Sequence, residues 1–314
     1  MICNKGYVTK QGYNCFNICV ANYLEYKKIL LDEADLFLKS KEYEIEVLED
    51  GRIIYRLLKN SFIMLDIIGI PYELKIIQKG ENAKEILSEM IKKEALVTVF
   101  LKSSCLKYNS AFMYANDVNH CVNVIGMDER DRVLISDGYI AGYKAAYFDG
   151  WISFDELLNA WKNADYAYIV FHLDRMPDQT AENESYGISD VFSQYIADNE
   201  KVVKSFINEV NRLKDYDNDI LSGKLLELNN YLRVGGFISV KNYFLEIFNK
   251  YNLDIAEKYS DICKEWNVIS CMIIKLLYVN TDSKYEEIIC KMRNLFNSEN
   301  EILLGIIKNN LLHI

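Results

Sequence analysis

The chain reads as an α+β domain followed by an all-α bundle, and three observations predict this. Apolar residues at helical spacing open the chain, alternation of period two dominates much of residues 71–173, and only helical spacing follows residue 187. Between them lies DRMPDQTAENESYG, polar and carrying one of only two prolines. We therefore expect a catalytic domain over 1–173, a linker over 174–187 and a helical domain over 188–314.

The elements follow in order. In QGYNCFNICVANYL, Asn14 is a fair N-cap for a helix that starts at Cys15, with Ile18, Val20, Ala21 and Leu24 on its apolar side. DEADLFLKS (32–40) reads as a short helix, and IIYRLLKNSFIMLDIIGI (53–70) as a longer one ended by Gly69 and Pro71. PYELKIIQ is then a strand, NAKEILSEMIKKE an amphipathic helix and ALVTVFLK a second strand. After the loop SSCLKYNSAFMYANDVN, HCVNVIGMD and RVLISDG alternate as two strands joined by the polar turn DERD. FDGWISFDELLNAW is a strand feeding a helix, and YAYIVFHLD a buried strand. The rest predicts helices over 188–214, 217–232, 239–250, 253–279, 283–296 and 299–312, with Gly235 and Gly236 marking a break.

Composition narrows the function. The 314 residues are 50% hydrophobic and 13% aromatic, ample for real cores. No apolar signal segment and no uncharged apolar run of about 18 residues is present, so neither secretion nor a membrane span is expected and the cytoplasm is the predicted compartment. A net charge of -10, with neither side of Leu173 basic, argues against a nucleic-acid partner. The eight cysteines show no regular spacing and no CxxC pair, so no disulfide framework, no metal site and no cofactor is predicted. P-loop and dinucleotide motifs are absent as well.

One cysteine stands apart. Cys15 falls where a loop becomes a helix, and the helix's unpaired N–H groups and dipole favour thiolate there. Of three histidines, His313 is next to the C-terminus and His172 lies within an apolar run, which leaves His120 as the base. The turn DERD brings the start of one strand beside the end of the next, so His120 and Asp137 should be adjacent, the carboxylate fixing the imidazole's tautomer. A helix N-terminus and a nearby imidazolium are expected to bring the Cys15 thiol below its free value of about 8.5. The loop 103–119 carries Tyr108, Phe112, Met113 and Tyr114, and either lines an acyl pocket or packs onto the sheet.

A Cys at a helix start, then H-x-V-x-V-x-G on a strand and an Asp closing the next strand, resembles the papain-like cysteine peptidases, in particular their bacteriocin-processing branch. The pattern is also similar to the N-terminal domain family of butirosin biosynthesis protein H, acyltransferases that move an acyl group from a carrier-protein thioester to an amine. A narrower resemblance is to the protease-like amide-forming enzymes of closthioamide biosynthesis. The resemblance as a whole covers about residues 7–173. It implies a papain-like fold, with Cys15 as nucleophile, His120 as base and Asp137 as orienting acid. It also implies an acyl or peptidyl carrier protein with a phosphopantetheine-bound acyl group as donor, and a small amine as acceptor. A peptidase or amidase using the same three residues is the alternative.

The family's oxyanion glutamine stands six residues before the Cys, where this chain has Thr9, whereas Gln11 is four before. The Cys15 backbone N–H, helped by the Asn14 or Asn17 amide, is the available substitute. Phe112 and Tyr114 are the candidate acyl-pocket residues. Whether the helical domain docks the carrier or holds two copies together as a homo-oligomer stays open at this stage.

Overall fold

After a two-residue strand β1 (Ile2–Cys3), Asn14 takes extended backbone and folds its side chain over the first turn of α1 (Cys15–Tyr26), accepting from the N–H groups of Phe16 and Asn17. This computed structural model describes residues 2–47, 53–55, 57, 61–79, 81–108, 119–140, 146–176, 188–233, 236–251 and 254–309. The short helix α2 spans Glu33–Lys39. Two strands, β2 (Ile45–Val47) and β3 (Ile53–Tyr55), pair antiparallel, and α3 runs only over Ser61–Ile68. The long helix expected over 53–70 is thus a strand and a shorter helix. Ile53, Ile54 and Tyr55 are residue types that favour a strand, and β2 gives them a partner that local spacing cannot reveal. Gly69, at φ 74°, closes α3 where the sequence places the stop.

The sheet then assembles from β4 (Tyr72–Ile76), β5 (Leu96–Lys102), β6 (Asn119–Met127), β7 (Arg132–Ile140), β8 (Ala146–Ser153) and β9 (Ala167–Phe171). Two helices pack on it, α4 (Ala83–Lys92) after β4 and α5 (Phe154–Lys162) after β8. Its order is β4-β9-β5-β6-β7-β8, with β1 on the far end of β6, and every pairing is antiparallel.

Alternation splits the strands between two cores. Leu101, Val122, Val124, Val133 and Ile135 face Leu87 and Ile91 of α4 and Leu157 and Trp161 of α5. Phe100, Cys121, Ile125 and Phe171 face Ile18, Cys19 and Leu24 of α1 and Leu65 of α3. This is the expected α+β, papain-like build, with a helix that starts at the cysteine laid on an antiparallel sheet that carries the histidine.

Among the described residues five helices follow: α6 (Ile188–Arg212), α7 (Asn218–Arg233), α8 (Phe237–Lys250), α9 (Ala256–Lys275) and α10 (Asp282–Asn309). The two helices expected over 283–296 and 299–312 are one helix of 28 residues. Polar Asn297 and Ser298 read as a break but lie on its exposed side, while Glu299 continues the buried stripe of Ile288, Met292, Leu303 and Ile306. Glu299 is completely buried and accepts from Lys241 Nζ at 2.7 and 2.9 Å, from Tyr259 at 2.7 Å and from Asn199 at 3.2 Å. The Lys241 ammonium also lies 4.2 Å from the Phe237 ring centre. A charge held by so many donors can occupy a core position.

The chain divides into two compact units, Met1–Leu36 with Ser61–Ala181, and Phe37–Asn60 with Glu182–Ile314. Residues 37–60, which the sequence assigns to the catalytic domain, therefore group with the helices. Phe37 stacks on Tyr243 at 4.4 Å, and Tyr55 packs on Phe237 and fills the space beside Gly236, whose φ is 97°. Of the expected linker, 177–187 lie outside the described residues.

Candidate active site

Three elements of the first unit bring the candidate residues together. Cys15 opens α1, His120 is the second residue of β6 and Asp137 lies near the end of β7. The β6–β7 register pairs Asn123 with Ser136, which carries His120 and Asp137 toward each other across the two strands. His120 Nε2 meets Asp137 Oδ2 at 2.8 Å, with the two side chains 4% and 0% exposed. The Nε2 nitrogen being taken, Nδ1 is the one left for Cys15, whose half-buried thiol interacts with the imidazole.

Burial works against a charge on His120. The Asp137 carboxylate, its hydrogen bond and the Cys15 contact outweigh it, and the imidazole is raised from 6.5 to about 10. The thiol corrects the expectation drawn from its helix position. Cys15 is pushed well above its ordinary 9.0, first by contact with the Cys121 thiol and then by burial, while His120 pulls the other way. Cys121, one residue beyond His120, faces α1 and lies in a buried group with Cys19, whose Sγ is 3.7 Å from the Cys121 carbonyl. Sequence reading treats Cys121 as filler; the alternation of β6 alone would put it on the α1 side.

The loop before the nucleophile is held closely. Glu33, buried at the start of α2, accepts from the backbone N–H of Tyr13 at 3.1 Å and of Asn14 at 3.0 Å. Gly12 N–H donates to the Gly138 carbonyl at 2.9 Å. A Cβ on Gly12 would strike Glu33 Oε2 and Ile18, and one on Gly138 would lie 2.6 Å from Ile18 Cγ1 and 2.7 Å from the Lys10 carbonyl. Backbone meets backbone there because both residues lack a side chain. Nothing local in the sequence ties Glu33 to this loop, since its partners are 19 and 20 residues away.

The oxyanion candidates separate. Thr9 is committed elsewhere, donating to Asp149 at 2.8 Å and bonded to Ser136 at 2.8 Å. Gln11 is exposed. Asn14 spends its carbonyl on the cap, which takes the N–H groups of Phe16 and Asn17 and leaves that of Cys15 outside it. Asn17 is buried and two residues along α1 from Cys15, a spacing at which side chains diverge. Phe112 and Tyr114 lie outside the described residues, as does His313. His172 sits just past β9 rather than within it, half-buried and 3.0 Å from Glu73 Oε1, apart from the Cys15 group. Among the described residues no cluster of His, Cys, Asp and Glu could hold a metal, and no helix is long and apolar enough to cross a membrane.

A C39-like peptidase of Bacillus anthracis, known from a crystal structure, is similar to this chain. The similarity covers 55% of this chain and 96% of that one, at 16% identity and a TM-score of 0.38. No protein-family profile and no curated protein matches the sequence.

Proposed function

We propose that the chain is a cysteine-nucleophile acyltransferase that forms an amide bond. In this reading it moves an acyl group from a carrier-protein thioester to a small amine, in the cytoplasm, as a step of natural-product biosynthesis. The observation that supports a cysteine nucleophile is the meeting of thiol, imidazole and carboxylate from α1, β6 and β7, with His120 and Asp137 at 2.8 Å; the amine rather than water as acceptor rests on the resemblance of residues 7–173. Cys15 loses its proton to solvent and attacks the thioester carbonyl as the thiolate, beside the His120 imidazolium. The carrier thiolate leaves and takes the Nδ1 proton of His120, which is then neutral. The amine then attacks the acyl-enzyme, His120 accepts the amine's proton, and the amide departs as the Cys15–acyl bond breaks. The N–H of Cys15, outside the Asn14 cap, is the donor best placed for the oxyanion. Thioester exchange is close to isoenergetic and aminolysis is downhill, so the sequence needs no nucleotide site.

The test is a simple acyl thioester offered with and without a primary amine, following acyl-enzyme, acid and amide by mass spectrometry. Wild type should acylate at Cys15 and yield amide, and Cys15→Ala and His120→Ala should yield neither. Free acid as the sole product, together with peptide cleavage, would replace amine by water as acceptor and make the protein a peptidase. Full turnover by Cys15→Ala would remove the reading.

A further inference from the structure

Asp137 is completely buried, and three donors converge on it. Its Oδ1 accepts the Tyr139 backbone N–H at 3.1 Å. Its Oδ2 accepts from two side chains, His120 Nε2 at 2.8 Å and the Tyr108 hydroxyl at 2.8 Å. Tyr108 follows β5 and the single turn Ser103–Cys105, and its ring lies flat on Phe148 of β8, 4.2 Å between centres and 10° between planes. Phe148 is the β8 register partner of Asp137. The hydroxyl is therefore aimed by a stacked ring that is itself fixed to the carboxylate's own neighbour.

We propose that Tyr108 is a positioning residue of this site: by donating to the Asp137 oxygen that holds His120, it occupies one of that oxygen's two lone pairs, fixes the direction left for the imidazole, and weakens the carboxylate's hold on the imidazolium. Two donors on one oxygen share its electron density, so each bond is weaker than it would be alone. Burial first, and then the Asp137 charge, push the Tyr108 hydroxyl well above 10.0, so it remains a donor throughout the working range. Other titratable groups bear on the cluster. Cys15 of α1 acts on His120, Asp137 of β7 and Glu156 of α5 act on Tyr108, Cys19 and Asp137 act on Cys121 of β6, and Glu33 acts on Cys19. None of these changes when the Tyr108 hydroxyl alone is removed.

The inference rests on the proposed role of His120 for its relevance to catalysis, but its test needs no substrate. The chain has three histidines, so 15N-histidine spectra can follow His120 by itself. Tyr108→Phe keeps the ring on Phe148 and removes the hydroxyl; the His120 midpoint should then rise from about 10 by about one unit, tenfold in the proton's equilibrium constant. A fluorotyrosine placed at 108 alone, a stronger donor of nearly the same shape, should move it the opposite way. Opposite shifts from two variants of one shape cannot come from packing. A His120 midpoint unmoved in both, or moved the same way in both, would overturn the proposal. If the shifts appear but no thioester ever acylates Cys15, the Tyr108 assignment stands and the acyltransfer reading falls.

Discussion

Replacing Asp137 by Asn should change how the stability of the first unit depends on pH, by an amount that can be worked out in advance. His120 is raised from 6.5 to about 10 in the folded protein. Below 6.5 the imidazole is charged in both states, and the pair with Asp137 stabilises the fold fully. Between 6.5 and about 10 the unfolded chain gives up this proton while the folded one keeps it, so stability falls by about 1.4 kcal/mol per pH unit, and the whole contribution is gone above the folded value. The window spans roughly 5 kcal/mol for this group. Cys15, also raised, adds a loss in the same direction once its unfolded thiol titrates. In Asp137→Asn the carboxylate charge is gone and burial governs His120, which should be neutral at pH 7.

The chain's three tryptophans make the assay specific. In a Trp266→Phe background, emission reports Trp151 and Trp161 of the sheet unit only. Urea unfolding at pH 6.5, 7.5 and 8.5 should give a wild-type stability that declines relative to Asp137→Asn by about 1.4 kcal/mol at each step. Parallel profiles for the two proteins would refute the account of His120 as an imidazolium held by Asp137.

Other consequences follow from the same contacts. Cys121→Ala removes the largest cause of the raised Cys15 thiol, so iodoacetamide should label Cys15 faster at pH 7.5 in the variant than in wild type; an unchanged rate would show that burial alone sets it. Gly138→Ala should cost about 1–3 kcal/mol and most of the acylation rate, since its Cβ would displace Ile18 and the Lys10 carbonyl; thermal melting and burst amplitude read the two effects. In the helical unit Lys241→Met should cost about 3–5 kcal/mol by stranding Glu299, and adding Glu299→Gln should recover at least half; equal losses in single and double variants, by urea unfolding, would mean that the charge pairing contributes nothing.

The residues legible in the sequence are those whose partners are close along the chain or whose chemistry is rare. His120 and Asp137 could be paired because a four-residue polar turn joins their strands, and the observed register brings them within 2.8 Å. Cys15 could be placed at a helix start because Asn14 caps that helix. What escaped is long-range. Glu33 holds the Cys15 loop from 19 and 20 residues away, and Tyr108 reaches Asp137 from 29 away. Periodicity also misjudged 53–55, where strand or helix is decided by the presence of β2, and 297–299, where a buried Glu299 with Lys241 as partner looks from sequence like a helix end. The depressed thiol expected at Cys15 failed for a related reason. The helix terminus was legible, but the second thiol against it comes from a strand about a hundred residues on.

That strand explains why the group is placed so closely. In β6 the side chains of Val122 and Val124 are buried against α4 and α5, and those of Cys121 and Ile125 against α1 and α3. Both faces are therefore specified, and a slip of one residue would exchange them. Such a slip would put Asn123, which now donates to the Cys19 carbonyl at 2.7 Å and to the Tyr7 hydroxyl at 2.8 Å, among valines and leucines with those bonds lost. It would also expose the α1 core to residues shaped for the other side. Each fully buried Val is worth about 1.5–3 kcal/mol, and an amide buried without a partner costs a comparable amount, so the penalty far exceeds thermal energy. The same register that protects two cores thus presents His120 at the Asp137 end of β7 and Cys121 against α1. Packing on both sides of one strand thus fixes where the backbone of the site lies, and the hydrogen bonds of Asp137 and Glu33 orient the imidazole and the Cys15 loop upon it.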